Sequence, residues 1–273
     1  DAFGVEFGTA PDRDLDRGVD AGRGALGELL HLGRDAALGG AAHPGRLGPQ
    51  LTALGAALPR PAAVLVVSPH WMTPQVRVAT AAAPDTIHDF GGFPRPLYEI
   101  QYPAPGAPAL AARTVDVLRA AGWVTDTDAQ RGFDHGAWVP VRFLFPDADV
   151  PMFQVSMPSR LDEAGAYALG QALAPLRDEG VLVVGSGSLT HNLYEFRASH
   201  EGDAAYAKAF SGWVHDTLTR HDHASLLQTM VLAPDAQRAH PSLDHLLPLM
   251  VAAGAAGADA PVQWLDGGIT HGV

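Results

Sequence analysis

The sequence contains no cysteine, so none of its 273 residues can form a disulfide, a thiolate metal site or a cysteine nucleophile. This absence is compatible with a reducing compartment, and we expect a cytoplasmic protein. No apolar run approaches the roughly 18 residues that a membrane-spanning helix needs. The first residues also lack a basic segment followed by an apolar stretch. The sequence therefore predicts neither a membrane span nor a secretory signal.

Basic residues are scarce: 18 Lys and Arg stand against 30 Asp and Glu, and the formal net charge is −12. A phosphate backbone needs a basic surface, so we expect no nucleic acid partner. A hydrophobic fraction of 47% with only 18% charged residues predicts a globular protein with a sizeable buried core. The thirteen histidines are more informative, because histidine is the commonest metal ligand in proteins.

Strand and helix patterns alternate along most of the chain. Short apolar runs, typical of strands buried on both faces, occur at 62–68, 150–156 and 181–184. Helical patterns occur at 47–58, 107–122, 163–180, 204–219 and 242–253. This alternation predicts an α/β fold, a single domain with a central, mostly parallel sheet flanked by helices. Residues 1–46 lack clear periodicity and form an atypical N-terminal segment, so we assign the domain to 47–273.

One histidine follows directly on a predicted strand, and another lies just past a predicted strand and a turn of small residues. Ligands in open α/β sheets bind beyond the carboxyl ends of strands. His70 and His191 are therefore candidate metal ligands, since neutral imidazole suits Fe, Zn, Cu or Ni. The alternative for each is a solvated loop histidine. The turn 185–188 lacks the lysine of a phosphate-binding loop, and we interpret it as a tight turn that lets the backbone approach the site. No GxSxG segment is present, which disfavours a serine hydrolase.

Three further histidines are ambiguous from their local sequence. His135 lies among glycines and is either a general acid–base or an ordinary turn residue. We expect Ser242 to cap a helix that carries His245 in its first turn, facing either the site or solvent. His88 precedes a Gly-Gly turn and has the same ambiguity. The aromatic and proline-rich segment 90–105 could form the wall of a pocket for a flat, apolar substrate.

Five segments together resemble one known family. They are SPHW at 68–71, TIHDFGGFPRPLYEIQYPAPG at 86–106, GFDHGAWVPVRFLFPDADVPMFQVS at 132–156, GSGSLTHNL at 185–193 and AHPSLDHLLPLMVAAGAA at 239–256. In this order they resemble the DODA-type (4,5-DOPA) extradiol aromatic ring-opening dioxygenases, the class III or LigB-like group. The resemblance covers about residues 47–260.

The resemblance implies an oxidoreductase that opens the ring of a DOPA-like catechol beside its two hydroxyls with O₂. It implies one divalent metal ion, Fe(II) for activity, with Zn(II) as the alternative in the isolated protein. The partners are then a small aromatic diol and O₂, and the oligomeric state is left open. In the matching motifs, His135 is the expected acid–base residue and His88 lies near the substrate. The implied metal ligands are His70, His191 and His245.

One departure from the family pattern concerns the N-terminus. Family members carry a His-Gly-Ser/Ala-Pro motif whose histidine is a further metal ligand, and by spacing it would lie near Asp35. No such motif is present, so His31 is the candidate substitute and His43 a weaker one. One alternative is therefore a non-catalytic or metal-impaired relative, and another is a Memo-like protein or zinc hydrolase on a related fold. The segments 86–106 and 132–138 favour the dioxygenase.

Overall fold

The strand and helix segments are defined by a computed structural model, which describes residues 7–8, 18–22, 47–198 and 205–266. The strands are β1 (Phe7–Gly8), β2 (Gly18–Gly22), β3 (Ala63–Val67), β4 (Met72–Thr73), β5 (Val76–Ala79), β6 (Thr125–Asp128), β7 (Met152–Gln154), β8 (Met157–Pro158), β9 (Val181–Gly185) and β10 (Val262–Asp266). The α-helices are α1 (Leu47–Ala57), α2 (Pro108–Ala120), α3 (His135–Leu144), α4 (Glu163–Leu173), α5 (Leu193–Ala198), α6 (Ala205–Thr219), α7 (His223–Leu226), α8 (Thr229–Leu232), α9 (Ala236–Ala239) and α10 (Leu247–Ala256). Two 3₁₀ helices span Arg95–Glu99 and Ala174–Glu179.

The central sheet has the strand order β1-β9-β3-β7. Strand β3 runs parallel to both β9 and β7, and β1 pairs with β9 in the antiparallel direction. All residues of β3 and β9 are buried, as expected for parallel strands that are covered on both faces. Three separate two-stranded sheets, β2 with β10, β4 with β8 and β5 with β6, are also parallel. The predicted, mostly parallel sheet is confirmed.

The sheet separates two hydrophobic clusters because successive side chains of a strand point to opposite faces. On one face, Leu65 of β3 and Val183 of β9 belong to the cluster that includes side chains of α2, α4, α6 and α10. On the other face, Val64 and Leu182 pack into the cluster that contains Trp138 of α3 and side chains of α1. Helices therefore cover both faces, which confirms the predicted α/β class. Among the described residues, no helix is both long and apolar enough to span a membrane.

The prediction for the last helix is partly wrong. The sequence pattern placed its start at Ser242, but α10 begins at Leu247 and ends at Ala256. Pro248 is the reason, because a proline ring clashes with the carbonyl of the residue four positions earlier and is tolerated only in the first helical turn. His245 therefore does not lie in a first helical turn, as predicted, but in the turn before α10.

The other predicted helices are present with small differences at their ends. The pattern at 163–180 forms an α-helix to Leu173 and continues as the 3₁₀ helix Ala174–Glu179. The change coincides with Pro175, which lies in the first turn of the 3₁₀ helix. Gly180 ends this segment with a φ of 79°, a conformation that favours glycine, and β9 starts directly after it.

Candidate active site

Strand β3 delivers His70 to the carboxyl edge of the central sheet. The turn after the strand is held by Ser68, whose Oγ accepts a hydrogen bond from the backbone N–H of His70 at 3.2 Å. Nη2 of Arg131 donates to the backbone carbonyl of His70 at 3.3 Å. The side chain of His70 is about one quarter exposed, at 26%, so it borders the interior and remains accessible from one side.

His135 is the first residue of α3, and a buried polar network sets the start of that helix. Asp134 is the N-cap, and its Oδ1 accepts a hydrogen bond from the backbone N–H of Ala137 at 3.1 Å. Its Oδ2 accepts hydrogen bonds from Nη2 of Arg131 at 2.6 Å and from Nε2 of Gln154 at 2.8 Å. The fixed helix start places the His135 ring 4.0 Å from the ring of His70, centroid to centroid.

Asp89 connects these two histidines, and sequence reasoning did not select it. Its Oδ1 lies 2.9 Å from both the backbone nitrogen and the Nδ1 of His135, and its Oδ2 lies 3.7 Å from Nδ1 of His70. In the part of the chain that the structure describes, His70, Asp89 and His135 form the one group whose potential ligand atoms all lie within 4.8 Å of one another. The only signal in the sequence was an aspartate beside His88, and a loop aspartate is usually solvated.

His191 and His245 continue the row of histidines on the other side of His70. The centroid of the His245 ring lies 5.4 Å from the centroid of the His70 ring. The His245 ring also stacks on the His191 ring, with centroids 3.5 Å apart and a 6° angle between the planes. The backbone N–H of His191 donates to the carbonyl of Ala239 at 2.8 Å. Nδ1 of His245 lies 2.9 Å from Oδ2 of Asp244. Four histidines from four segments therefore follow one another in the order 135, 70, 245, 191.

The turn 185–188 is built for close backbone contact, as its glycines suggested. A Cβ atom on Gly185 would collide with the carbonyl of Pro248, and one on Gly187 would collide with the carbonyl of His245. The backbone N–H of Ser188 donates to the same His245 carbonyl at 2.9 Å. The small residues thus bring the chain after β9 against the turn that carries His245.

The protonation states suit a divalent cation. Burial, reinforced by His135 and His245, lowers the pKa of His70 to about 3. Burial and the neighbouring His245 likewise lower the pKa of His191 to about 3. Burial opposes ionisation of Asp89, but its hydrogen bond to His135 and the attraction of that histidine outweigh this and lower its pKa to about 2. Neutral imidazoles beside ionised carboxylates are the donor set of non-haem iron and zinc sites, so these residues fit such a metal.

Aromatic side chains of the loop after β5 border the histidine row. The Phe90 ring meets the His135 ring edge-on at 5.7 Å, and Tyr98 lies 5.1 Å from Phe90. His88 belongs to the same group, with its ring 5.7 Å from Phe90 and 5.9 Å from Trp138. Nε2 of His88 lies 2.8 Å from a backbone carbonyl, that of residue 100, which anchors the ring within the wall. The arrangement offers an aromatic ring an apolar surface beside His135.

Residues 50–271 match the family model for the catalytic LigB subunit of aromatic ring-opening dioxygenase. The chain belongs to this family. It is 45% identical over 215 residues to a 4,5-DOPA dioxygenase extradiol of Beta vulgaris, an alignment that covers 77% of this chain and 80% of that protein. A protein of the same description from Escherichia coli K12 is 40% identical over 228 residues. That alignment covers 80% of this chain and 82% of the Escherichia coli protein.

A solved structure shares the fold of this chain. The crystal structure of an uncharacterized protein from Escherichia coli K12 aligns with a TM-score of 0.63 at 34% identity, over 77% of this chain and 81% of that one. The family resemblance expected from the sequence motifs is confirmed by the family match and by these relatives. As a LigB-family member the protein is a metal-dependent extradiol dioxygenase that opens an aromatic ring with O₂. Neither the metal-impaired relative nor the Memo-like or zinc hydrolase alternative is favoured.

Other site predictions for this LigB-family chain remain untested. His31 and His43 lie outside the described residues, so the predicted N-terminal ligand stays a prediction. The same holds for the division into an atypical segment 1–46 and a domain 47–273, although the family match starts close to that boundary. His70, His135, His191 and His245 lie together as the motifs suggested, but their individual roles are proposals.

Proposed function

We propose that this LigB-family protein opens the ring of a DOPA-like catechol beside its hydroxyls. The observation that carries the proposal is the row of four histidines from four chain segments, flanked by Asp89 and Asp244. Its position at the carboxyl ends of β3 and β9 is where α/β sheets bind ligands. The relatives described as 4,5-DOPA dioxygenases support the choice of a catechol with a charged side chain.

In this proposal His70, His191 and His245 hold one divalent metal ion, with His31 as the candidate additional ligand. Fe(II) is the metal of the active enzyme, and Zn(II) is an inert occupant of the isolated protein because it has no accessible redox change. Bound Fe(II) would supply open positions that bring the catechol oxygens and O₂ within bonding range. The low pKa values of His70 and His191 keep their nitrogen lone pairs available at neutral pH.

His135 is proposed as the acid–base residue. Its ring contacts His70 on one side and the edge of Phe90 on the other, and only 6% of the residue is exposed. Such burial excludes most water, so a catechol hydroxyl beside the ring would transfer its proton to the imidazole rather than to solvent. The same imidazole can return the proton after ring cleavage. Phe90 and Tyr98 would pack against the aromatic ring, and His88 would border the substrate from within the wall.

The proposed partners of the protein are a small aromatic diol and O₂. The strongly negative net charge supports the expectation that nucleic acid is not a partner. The cytoplasmic location suggested by the absence of cysteine stays a prediction.

Oxygen uptake after anaerobic reconstitution with Fe(II) tests the proposal. We expect uptake and a yellow ring-opened product with DOPA or a related member of a small catechol panel, and neither with zinc-loaded protein. Uptake that is equal with zinc, or absent with every catechol despite one equivalent of iron, would contradict it.

A variant separates the acid–base role from metal binding. Replacing His135 with alanine should reduce ring opening by about 10²–10⁴-fold, the usual contribution of a general acid–base. Metal content should stay near one equivalent, because His135 is not among the proposed ligands. Ring opening that survives in His135→Ala would refute the assigned role.

A further inference from the structure

The carboxylate of Asp89 holds His135 through two hydrogen bonds to one oxygen. Oδ1 accepts from the backbone N–H of His135 and lies 2.9 Å from its Nδ1 as well. Because backbone and ring are bound to the same atom, the χ1 and χ2 angles of His135 are restrained together. The same ring also packs against the rings of His70 and Phe90.

The environment keeps Asp89 ionised. The backbone N–H that it accepts belongs to the first residue of α3, a helix of ten residues, where unpaired N–H groups and the helix dipole favour a negative charge. An ionised carboxylate can only accept hydrogen bonds, so Nδ1 of His135 must be the donor.

We propose that Asp89 is a positioning residue that keeps a proton on Nδ1 of His135 and thereby presents Nε2, with its free lone pair, to the substrate. This inference rests on the proposed acid–base function of His135. In the proton transfer, the catechol O–H bond breaks and an Nε2–H bond forms. The product pair is a catecholate and an imidazolium whose Nδ1–H still points at Asp89. The carboxylate stabilises the imidazolium without taking the proton itself.

A competing role for Asp89 is that of a metal ligand together with His70 and His135, since the three have ligand atoms within 4.8 Å. One observation favours positioning: Oδ1 of Asp89 is already engaged by two donors of His135, its backbone N–H and its Nδ1. The two roles differ in their effect on metal content, which can be measured.

The central test is Asp89→Asn, which keeps the shape and an oxygen acceptor for the backbone N–H but removes the charge. We expect kcat in the iron-loaded enzyme to fall by at least about 10-fold, and by no more than the 10²–10⁴-fold that acid–base catalysis itself contributes. KM and metal content should stay near wild type, because a transition-state interaction is lost and a ligand is not. Asp85→Asn is the matched control: an exposed carboxylate in the same loop, whose loss should change neither kcat nor metal content.

A double-mutant cycle shows whether Asp89 acts through His135. In a His135→Ala background, Asp89→Asn should have no further effect on kcat, since the ring that it orients is gone. Full additivity of the two effects would overturn the proposal. Asp89→Glu provides a second variant that retains the charge, and we expect it to be more active than Asp89→Asn.

A readout that needs no turnover separates this inference from the proposed function. In the zinc-loaded protein, ¹⁵N NMR of the imidazoles should report His135 as the Nδ1–H tautomer, with its signal identified by its loss in His135→Gln. Asp89→Asn should shift that signal toward the Nε2–H tautomer. If wild-type iron enzyme consumes no oxygen while this shift occurs, the proposed function fails, whereas the control of the His135 tautomer by Asp89 stands. An unchanged tautomer in Asp89→Asn, or loss of metal from it, overturns the inference.

Discussion

The imidazole rings of His191 and His245 stack at 3.5 Å, although one follows β9 and the other precedes α10. The two backbones are also in contact, because the N–H of Ser188 donates to the carbonyl of His245 at 2.9 Å. Gly187 makes this contact possible, because any side chain there would collide with the carbonyl of His245. Gly187 therefore helps to hold the two proposed metal ligands together.

Gly187→Ala tests this role. The added Cβ must push the turn away from His245, and we expect a loss of about 1–3 kcal/mol in the free energy of unfolding, as for other overpacked sites. The proposed ligands would also separate, so bound metal should fall below one equivalent. Urea denaturation and metal analysis measure both. Gly212→Ala is the control, since a Cβ on this residue of α6 would meet nothing within 4 Å. A Gly187→Ala protein with wild-type metal content and stability would contradict the prediction.

Asp244→Ala should weaken metal binding without unfolding the protein. Nδ1 of His245 lies 2.9 Å from Oδ2 of Asp244, so the carboxylate orients the ring and leaves Nε2 for the metal. Losing such an orienting partner typically lowers metal affinity by about 10–100-fold. Competition with a chelating dye measures the change. Asp216→Ala is the matched control, because Asp216 is likewise adjacent to a histidine, His215, but is 64% exposed. Equal metal affinity in the Asp244→Ala and wild-type proteins would argue against His245 as a ligand.

Arg131→Met should strongly destabilise the protein. The Asp134 side chain is completely buried, and its Oδ2 is 2.6 Å from Nη2 of Arg131. Removing one partner of a buried ion pair leaves an uncompensated charge, which usually costs about 3–5 kcal/mol. Chemical denaturation provides the measurement. Arg95→Met, which removes the exposed pair with Glu99, should change stability by less than about 1 kcal/mol. Similar effects of the two substitutions would show that the buried pair is not needed at the start of α3.

The free energy of unfolding should fall as the pH is lowered, and His240 is one cause. This histidine is buried, its Nε2 lies 2.8 Å from the carbonyl of Leu189, and burial lowers its pKa from 6.5 to about 4. Between these values the unfolded chain binds a proton that the folded protein does not, so stability is full above pH 6.5 and is lost as the pH falls toward 4. In that window the contribution of His240 to the free energy of unfolding changes by on the order of 1 kcal/mol per pH unit.

Denaturation of the metal-free protein between pH 7 and pH 5 tests this pH dependence. His70 and His191, whose pKa values are also lowered, act in the same direction, so the comparison must isolate His240. His240→Gln cannot titrate and should lose less stability than wild type over the same interval. Parallel pH profiles for the two proteins would exclude His240 as a contributor.

Local sequence patterns were sufficient for the main elements and for most of the proposed site. The apolar β-branched runs around Leu65 and Val183 predicted buried parallel strands because period and composition are local properties. His70 and His191 followed from the rule that ligands lie beyond strand ends, and the family motifs added His135 and His245. These four residues do lie in one row.

Only the tertiary structure decided which side chains meet. Asp89 gained a role through contact with His135, which lies on another segment, and nothing in its own neighbourhood distinguishes it from a solvated loop aspartate. The start of α10 depended on the steric effect of Pro248, which outweighed the capping preference of Ser242. Periodicity and caps act over a few residues, whereas the partner of a carboxylate and the path of a turn are set by packing between distant parts of the chain.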